Sequence, residues 1–154
     1  MRHWLMKVEA DVYSIDDLQR DKVTCWEGVR NYQARNLLRD DFQVGDLVLF
    51  YHSNSEPTGV AGLAKVVKAG YPDHFARDKR SDYFDPKATA DNPIWFMVDI
   101  AFVSKFPNVV SLAQLKATRG LEKMMVTQRG SRLSVQPVTP AEYAIVCQLA
   151  GAKA

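Results

Sequence analysis

Two apolar runs joined by a short polar loop constrain the fold of this chain more than any other feature. Residues 47–52 (Leu-Val-Leu-Phe-Tyr-His) and residues 60–68 flank Ser53-Asn54-Ser55-Glu56-Pro57-Thr58-Gly59. Runs rich in branched and aromatic residues read as strands, and a Ser/Asn/Pro/Gly loop between them reads as a hairpin connection. Gly62 inside the second run predicts a bulge, or a close approach by another segment or a ligand. Residues 4–8 and 94–103 read as further strands, and residues 133–138 as an extended segment. Helix signals are brief and lie at the margins. Ser14 with Asp17, and Thr139-Pro140 with Glu142, are capping boxes. Ser111 with Gln114 has the same form. Ala34, Leu37 and Leu38 sit at helical spacing within residues 30–39, before the turn signal Val44-Gly45-Asp46. Residues 20–28 and 70–93 read as loops. The second holds three prolines and five aspartates, and loops that long in a compact domain usually have a task. Strands following strands, with few short helices, predict an α+β fold. Its sheet is mixed but mostly antiparallel, curled or closed into a small barrel, with short peripheral helices.

The 154 residues are a natural size for one domain spanning 1–154, and a 47% hydrophobic share suffices for a core. Twenty Lys+Arg against eighteen Asp+Glu leave a formal charge of +2. That balance argues against binding through a broad basic surface, so nucleic-acid contact is expected to be local and pocket-like. Cys25 and Cys147 form no Cys-x-x-Cys pair, which excludes a zinc ribbon, and both are expected free and buried. No apolar stretch is long enough to span a membrane and the N-terminus lacks a signal-peptide run, so a cytoplasmic location and no membrane partner are expected.

The chemistry concentrates in Trp26-Glu27-Gly28-Val29-Arg30-Asn31-Tyr32-Gln33-Ala34-Arg35-Asn36. Rings stack on flat ligands, while carboxamides and guanidiniums read their edges. Gly28 lets the backbone bend or a ligand come close. Taken singly, these residues have an ordinary reading: a helix start with a core tryptophan and solvated arginines. Taken together, they point to a planar polar ligand, a nucleobase above all. Tyr51, His52, Ser53 and Asn54 stand at a strand end, where pockets form; an ordinary turn is the other reading. Lys7 and Glu9 share a strand face, as do Arg132 and Ser134. Tyr71-Pro72-Asp73-His74 reads as a lid or a plain turn. Catalytic motifs are missing: no Gly-x-Ser-x-Gly, His-Glu-x-x-His or P-loop occurs, and the three histidines are scattered. No cofactor or metal is implied.

The long first motif, with Gly45-Asp46, Phe50-Tyr51-His52-Ser53-Asn54, Gly59-Val60-Ala61-Gly62, Tyr71-Pro72-Asp73, Asn92-Pro93-x-Trp95 and Arg132-Leu133-Ser134-Val135-Gln136-Pro137-Val138, resembles the core of the EVE domain. The resemblance runs from about Trp4 to Leu149. It implies a PUA-like pseudo-barrel whose pocket takes a flipped-out modified base, a modified cytosine such as 5-methyl- or 5-hydroxymethylcytosine in DNA before all others. Carried over, Trp26, Gly28, Val29, Arg30, Asn31 and Tyr32 form one wall. Tyr51, His52, Ser53 and Asn54 form the opposite wall, and Arg132, Ser134 and Gln136 a neighbouring strand. Arg35, Arg39, Lys79 and Arg80 are candidates to hold the nucleic-acid backbone. The family commonly carries Lys-Ser-Glu-Pro in its first strand; here Lys7-Val8-Glu9-Ala10 loses a hydroxyl and a proline.

Non-catalytic binding is the leading expectation, with DNA favoured over RNA. One alternative is a hydrolase of modified pyrimidine nucleosides, as in PUA-like relatives with the ASCH domain, for which Lys7 and Glu9 are the only acid–amine pair to nominate. Another is an RNA-binding module. Trp26→Ala and Asn31→Ala are expected to weaken binding while leaving the melting transition nearly intact.

Overall fold

The computed structural model describes residues 1–129 and 133–151. Among these, six strands form one mixed sheet: β1 (His3–Glu9), β2 (Val23–Cys25), β3 (Leu47–Ser53), β4 (Gly59–Pro72), β5 (Phe96–Ser111) and β6 (Val135–Val138). Their order is β2-β5-β4-β3-β1-β6. Every neighbouring pair is antiparallel except β1 and β3, which run parallel. Short helices flank the sheet: α1 (Ile15–Asp21), α2 (Tyr32–Asn36), α3 (Leu112–Ala117) and α4 (Pro140–Ala150). This is the expected α+β arrangement.

The unbroken apolar run of β3 has a clear cause. Successive side chains on a strand point to opposite faces, and both faces of β1 and β3 are covered. Trp4, Met6, Val48 and Phe50 pack with Ile15, Leu18, Ala34, Leu38 and Phe42 on one side. Leu5, Leu49 and Tyr51 pack with Leu115, Leu121, Val138, Tyr143 and Cys147 on the other. A parallel pair needs such cover, since a strand buried on both faces has no solvent side to make polar. Asp46, buried before β3, accepts from the Arg2 backbone N–H at 2.9 Å, the Trp4 indole at 2.9 Å and the Gln43 N–H at 2.9 Å. It ties the two strand starts together.

Local chemistry explains the helix starts. Ser14 and Thr139 each accept from the third helical N–H while Asp17 and Glu142 reach back, completing both capping boxes. Ser111 caps α3 by accepting from Gln114 N–H at 3.1 Å. Gly62 fulfils both readings of its position. The ladder shifts register at Phe50/Tyr51 and at Val60/Gly62, and a Cβ there would lie 2.5 Å from the Ser104 carbonyl oxygen and 2.8 Å from the Ile15 side chain.

Four elements differ from expectation. Residues 20–28 contain β2, a strand too short for its periodicity to show, held by pairing Val23 with Ala101 and Cys25 with Asp99. The helix expected over 30–39 is the short α2 followed by a π-helical turn, Leu37–Asp41, closed by Phe42 N–H on the Leu37 carbonyl at 3.0 Å. β4 reaches Pro72, and the remaining loop holds a 3-10 turn at His74–Arg77. β5 runs past Val103 to Ser111 despite Pro107. The β4 register jumps from Lys105 to Val110, so proline falls where no ladder N–H is needed.

Candidate functional site

A cavity of about 400 Å³ opens beside the segment after β2, within the size range of small-ligand pockets. β1 contributes Lys7 and Val8, and the turn after it Val12 and Tyr13. β2 contributes Thr24 and Cys25, and the chain then lays down Trp26, Glu27, Gly28, Val29 and Arg30 along one wall. Tyr83 from the long loop and Ser134 next to β6 complete it. Apolar surface from Val8, Val12, Val29 and the rings of Tyr13, Trp26 and Tyr83 thus alternates with an ammonium, a guanidinium, a carboxylate and hydroxyls.

The wall is rigid for identifiable reasons. Gly28 has φ +81°, a left-handed conformation that costs a side-chain-bearing residue energy. A Cβ at Gly28 would lie 2.5 Å from the Tyr83 ring, so the phenol sits directly on bare backbone. Asp73, its side chain fully buried, accepts from Gly28 N–H at 3.0 Å, Arg30 Nη1 at 3.0 Å and Phe75 N–H at 3.0 Å. Arg30 also donates to the carbonyls of Val29 at 3.1 Å and Tyr83 at 2.7 Å. Its guanidinium lies 5.4 Å from the Tyr83 ring centroid and 5.2 Å from that of Trp95, near enough for cation–π attraction. Arg30 therefore clamps the long loop to the cavity wall, and its guanidinium donors are turned to that work rather than to a base edge.

Burial sets the protonation states. It pushes the Cys25 thiol up to about 12, helped by the hydrogen bond to Glu27. Cys25 is only half-buried, unlike Cys147, but remains a thiol that donates to Glu27 Oε2 at 3.3 Å. A nucleophilic thiolate is not available there. Burial also lowers the Lys7 ammonium below its ordinary value.

The structure brings together Lys7, Trp26, Gly28, Val29, Arg30 and Ser134 from the residues anticipated; the others among the described residues do not line the cavity. Asn31 caps α2, its Oδ1 accepting from Ala34 N–H at 3.0 Å. Asn31→Ala should cost about 1 kcal/mol of stability, as for other N-cap losses, read from denaturant unfolding. Tyr32 is exposed and stacks on Trp95 at 4.9 Å, with Arg35 5.0 Å from its ring. Arg35 is further tied to the Ile94 carbonyl at 2.6 Å, and Arg39 to Asp40. Lys79 and Arg80 are exposed on the long loop. Gln136 is buried and donates to the Leu133 carbonyl at 2.8 Å. Arg132 lies outside the described residues.

The opposite wall expected from Tyr51, His52, Ser53 and Asn54 does not line this cavity. Tyr51 belongs to the core on the other sheet face. Ser53 ends β3, its carbonyl accepting from the Ser55 hydroxyl. Asn54 donates to Glu9 at 2.8 Å, and Glu9 is exposed and is not among the residues that line the cavity. Of the acid–amine pair nominated for catalysis, Lys7 alone lines the cavity. His52 accepts from Ile15 N–H through Nε2 at 3.1 Å, and protonation would turn that acceptor into a donor. Burial holds its imidazole below the ordinary 6.5. The unfolded chain thus binds the proton more readily. His52 contributes full stability above about pH 6.5, and that stability falls as pH drops toward the folded-state value. The urea midpoint should fall between about pH 7.5 and about pH 5.5, and less so in His52→Asn. Burial lowers the His3 imidazole too, which leaves a residual slope of the same sign.

Val12, Tyr13, Thr24, Glu27 and Tyr83 were not singled out from the sequence. Glu27 lies within the motif from Trp26 to Asn36, where its more distinctive neighbours mask its signal. Tyr83 offered only the weak signal of a ring inside a polar loop.

Comparison with known proteins places these residues in context. The family model described as EVE domain matches residues 2–149. Thymocyte nuclear protein 1 of Homo sapiens is 46% identical over 165 aligned residues, covering 96% of this chain and 73% of that protein. A crystal structure of a Pseudomonas syringae protein superposes with a TM-score of 0.92 at 49% identity, covering 96% of this chain and 99% of that one. The crystal structure of human THYN1 protein in complex with 5-methylcytosine-containing DNA superposes with a TM-score of 0.88 at 40% identity, over 100% of both chains. The fold is accordingly PUA-like, as expected.

Proposed function

Since this chain belongs to the EVE domain family, we propose that it binds DNA carrying a modified cytosine and holds that base, flipped out of the stack, in the cavity beside Gly28. The carrying observation is the cavity itself: three aromatic residues, Tyr13, Trp26 and Tyr83, with an ammonium, a carboxylate and hydroxyls in its lining. Unstacking a base costs a few kcal/mol, which stacking and edge hydrogen bonds must offset. The human THYN1 complex with 5-methylcytosine-containing DNA supports the choice of ligand. The exposure of Lys79 and Arg80 on the loop that carries Tyr83 supports reading them as phosphate contacts, and the near-neutral charge leaves the salt dependence modest.

Fluorescence anisotropy on duplexes of one sequence, bearing cytosine, 5-methylcytosine or 5-hydroxymethylcytosine, tests the reading, with matched RNA as a further arm. Tighter binding to a modified DNA duplex is the expected result. Equal affinity for modified and unmodified DNA would sink it, and a preference for RNA would reassign the partner.

A further inference from the structure

We propose that Glu27 accepts a hydrogen bond from the exocyclic amino group of the bound base, so that the cavity selects amino-bearing pyrimidines over their 4-oxo counterparts. This rests on the reading that the cavity holds a base. The inventory of polar groups around the cavity leads to it. Arg30 gives its donors to Asp73, Val29 and Tyr83. The Tyr13 hydroxyl donates to Asp21 at 2.8 Å. Glu27 is different. Among the described residues, its carboxylate receives only the Cys25 thiol at 3.3 Å. A carboxylate accommodates about four hydrogen bonds, and a thiol is a weak donor. Glu27 is thus the cavity's least-used strong acceptor.

Cytosine presents an amino group at the position where thymine presents a carbonyl oxygen. Facing Glu27, the amino group gains a charge-assisted bond, while the carbonyl meets another acceptor. Discrimination therefore has an attractive and a repulsive part. Cys25 keeps a supporting role: its protonated thiol steadies the carboxylate and gives way readily to a better donor. The amino carbon of the ring adjoins the 5-carbon, so the same arrangement points a 5-substituent along the cavity wall beside Glu27, where Val29 and Trp26 are apolar.

5-Methylcytosine and thymine share the methyl group and differ at the 4-position, amino against oxo, and at N3, acceptor against N–H, so the contact is read from how the Glu27 variants change their ratio. Anisotropy is measured on duplexes carrying either base opposite guanine, with an unmodified cytosine duplex as reference, for the native protein, Glu27→Gln and Glu27→Ala. Flipping costs differ between the duplexes, but they belong to the DNA and cancel when ratios are compared between proteins. Glu27→Gln and Glu27→Ala should each reduce the ratio of 5-methylcytosine to thymine affinity about tenfold below that of the native protein. Glu27 is half-exposed, so neither change removes core packing, and thermal melting verifies it. Variants that fold and keep the native ratio overturn the assignment of Glu27 while leaving the base-binding reading intact. A native protein that binds both methylated duplexes no better than the unmodified one overturns both.

Discussion

Trp26→Ala should lower the unfolding free energy by about 3–5 kcal/mol, the range for deleting a large buried ring. For a chain of this length that corresponds to roughly 10 °C in melting temperature. Trp26 is 8% exposed, belongs to the core cluster with Trp4, Leu18 and Phe50, and meets the Phe50 ring edge-on at 5.7 Å. The sequence led us to expect that this residue could be removed with little effect on melting; its burial reverses that expectation. One edge of the indole lines the cavity and the rest is core, so stability and binding should fall together. Trp26→Phe separates them by keeping much of the packing. Urea denaturation and anisotropy at low temperature, where the variants stay folded, read both quantities. A loss below about 1 kcal/mol would place the ring outside the core.

Asp73→Ala should cost about 3 kcal/mol, near the lower end for a broken buried ion pair. The lower end applies because the Arg30 side chain keeps 23% exposure while that of Asp73 has none. The substitution strands three donors at once, the N–H groups of Gly28 and Phe75 and the Arg30 guanidinium, and unmet buried donors carry their full desolvation cost. Asp73→Asn should recover little, since one amide oxygen cannot serve all three. The functional consequence is sharper than the thermodynamic one. With the clamp gone, Tyr83 is no longer held on Gly28 and the cavity loses a wall, so base binding should drop further than the folded fraction accounts for. Stability within about 0.5 kcal/mol of the native protein would show that Arg30 holds the loop without its carboxylate.

Both effects concern residues visible in the sequence whose tasks were not. Trp26 was legible as an aromatic in a dense motif, but a motif cannot say which face of a ring is covered. Asp73 was legible as part of a lid-like stretch, yet its partners lie 45 and 43 positions away. Asn31 and Arg30 looked like edge readers because carboxamides and guanidiniums suit that task. In the fold a nearby helix needs a cap and a nearby loop needs a clamp, and those demands are met first.

What the sequence determined by itself was local and periodic: the strand runs, both capping boxes, the bulge at Gly62, the α+β class and, through the motif around Gly28, the family. These depend on contacts within a few residues or on the alternation of a strand, so they can be read along the chain. Only the tertiary structure decided the cavity. It forms where β1, the segment after β2, the long loop and the stretch before β6 converge, and that convergence follows from sheet order and from two cores on opposite sheet faces. The same packing sent Tyr51 inward to one core, left Glu9 exposed with Asn54 as its partner and set Tyr83 on Gly28, because long-range burial, and not residue type, selects which side chains are left facing a ligand.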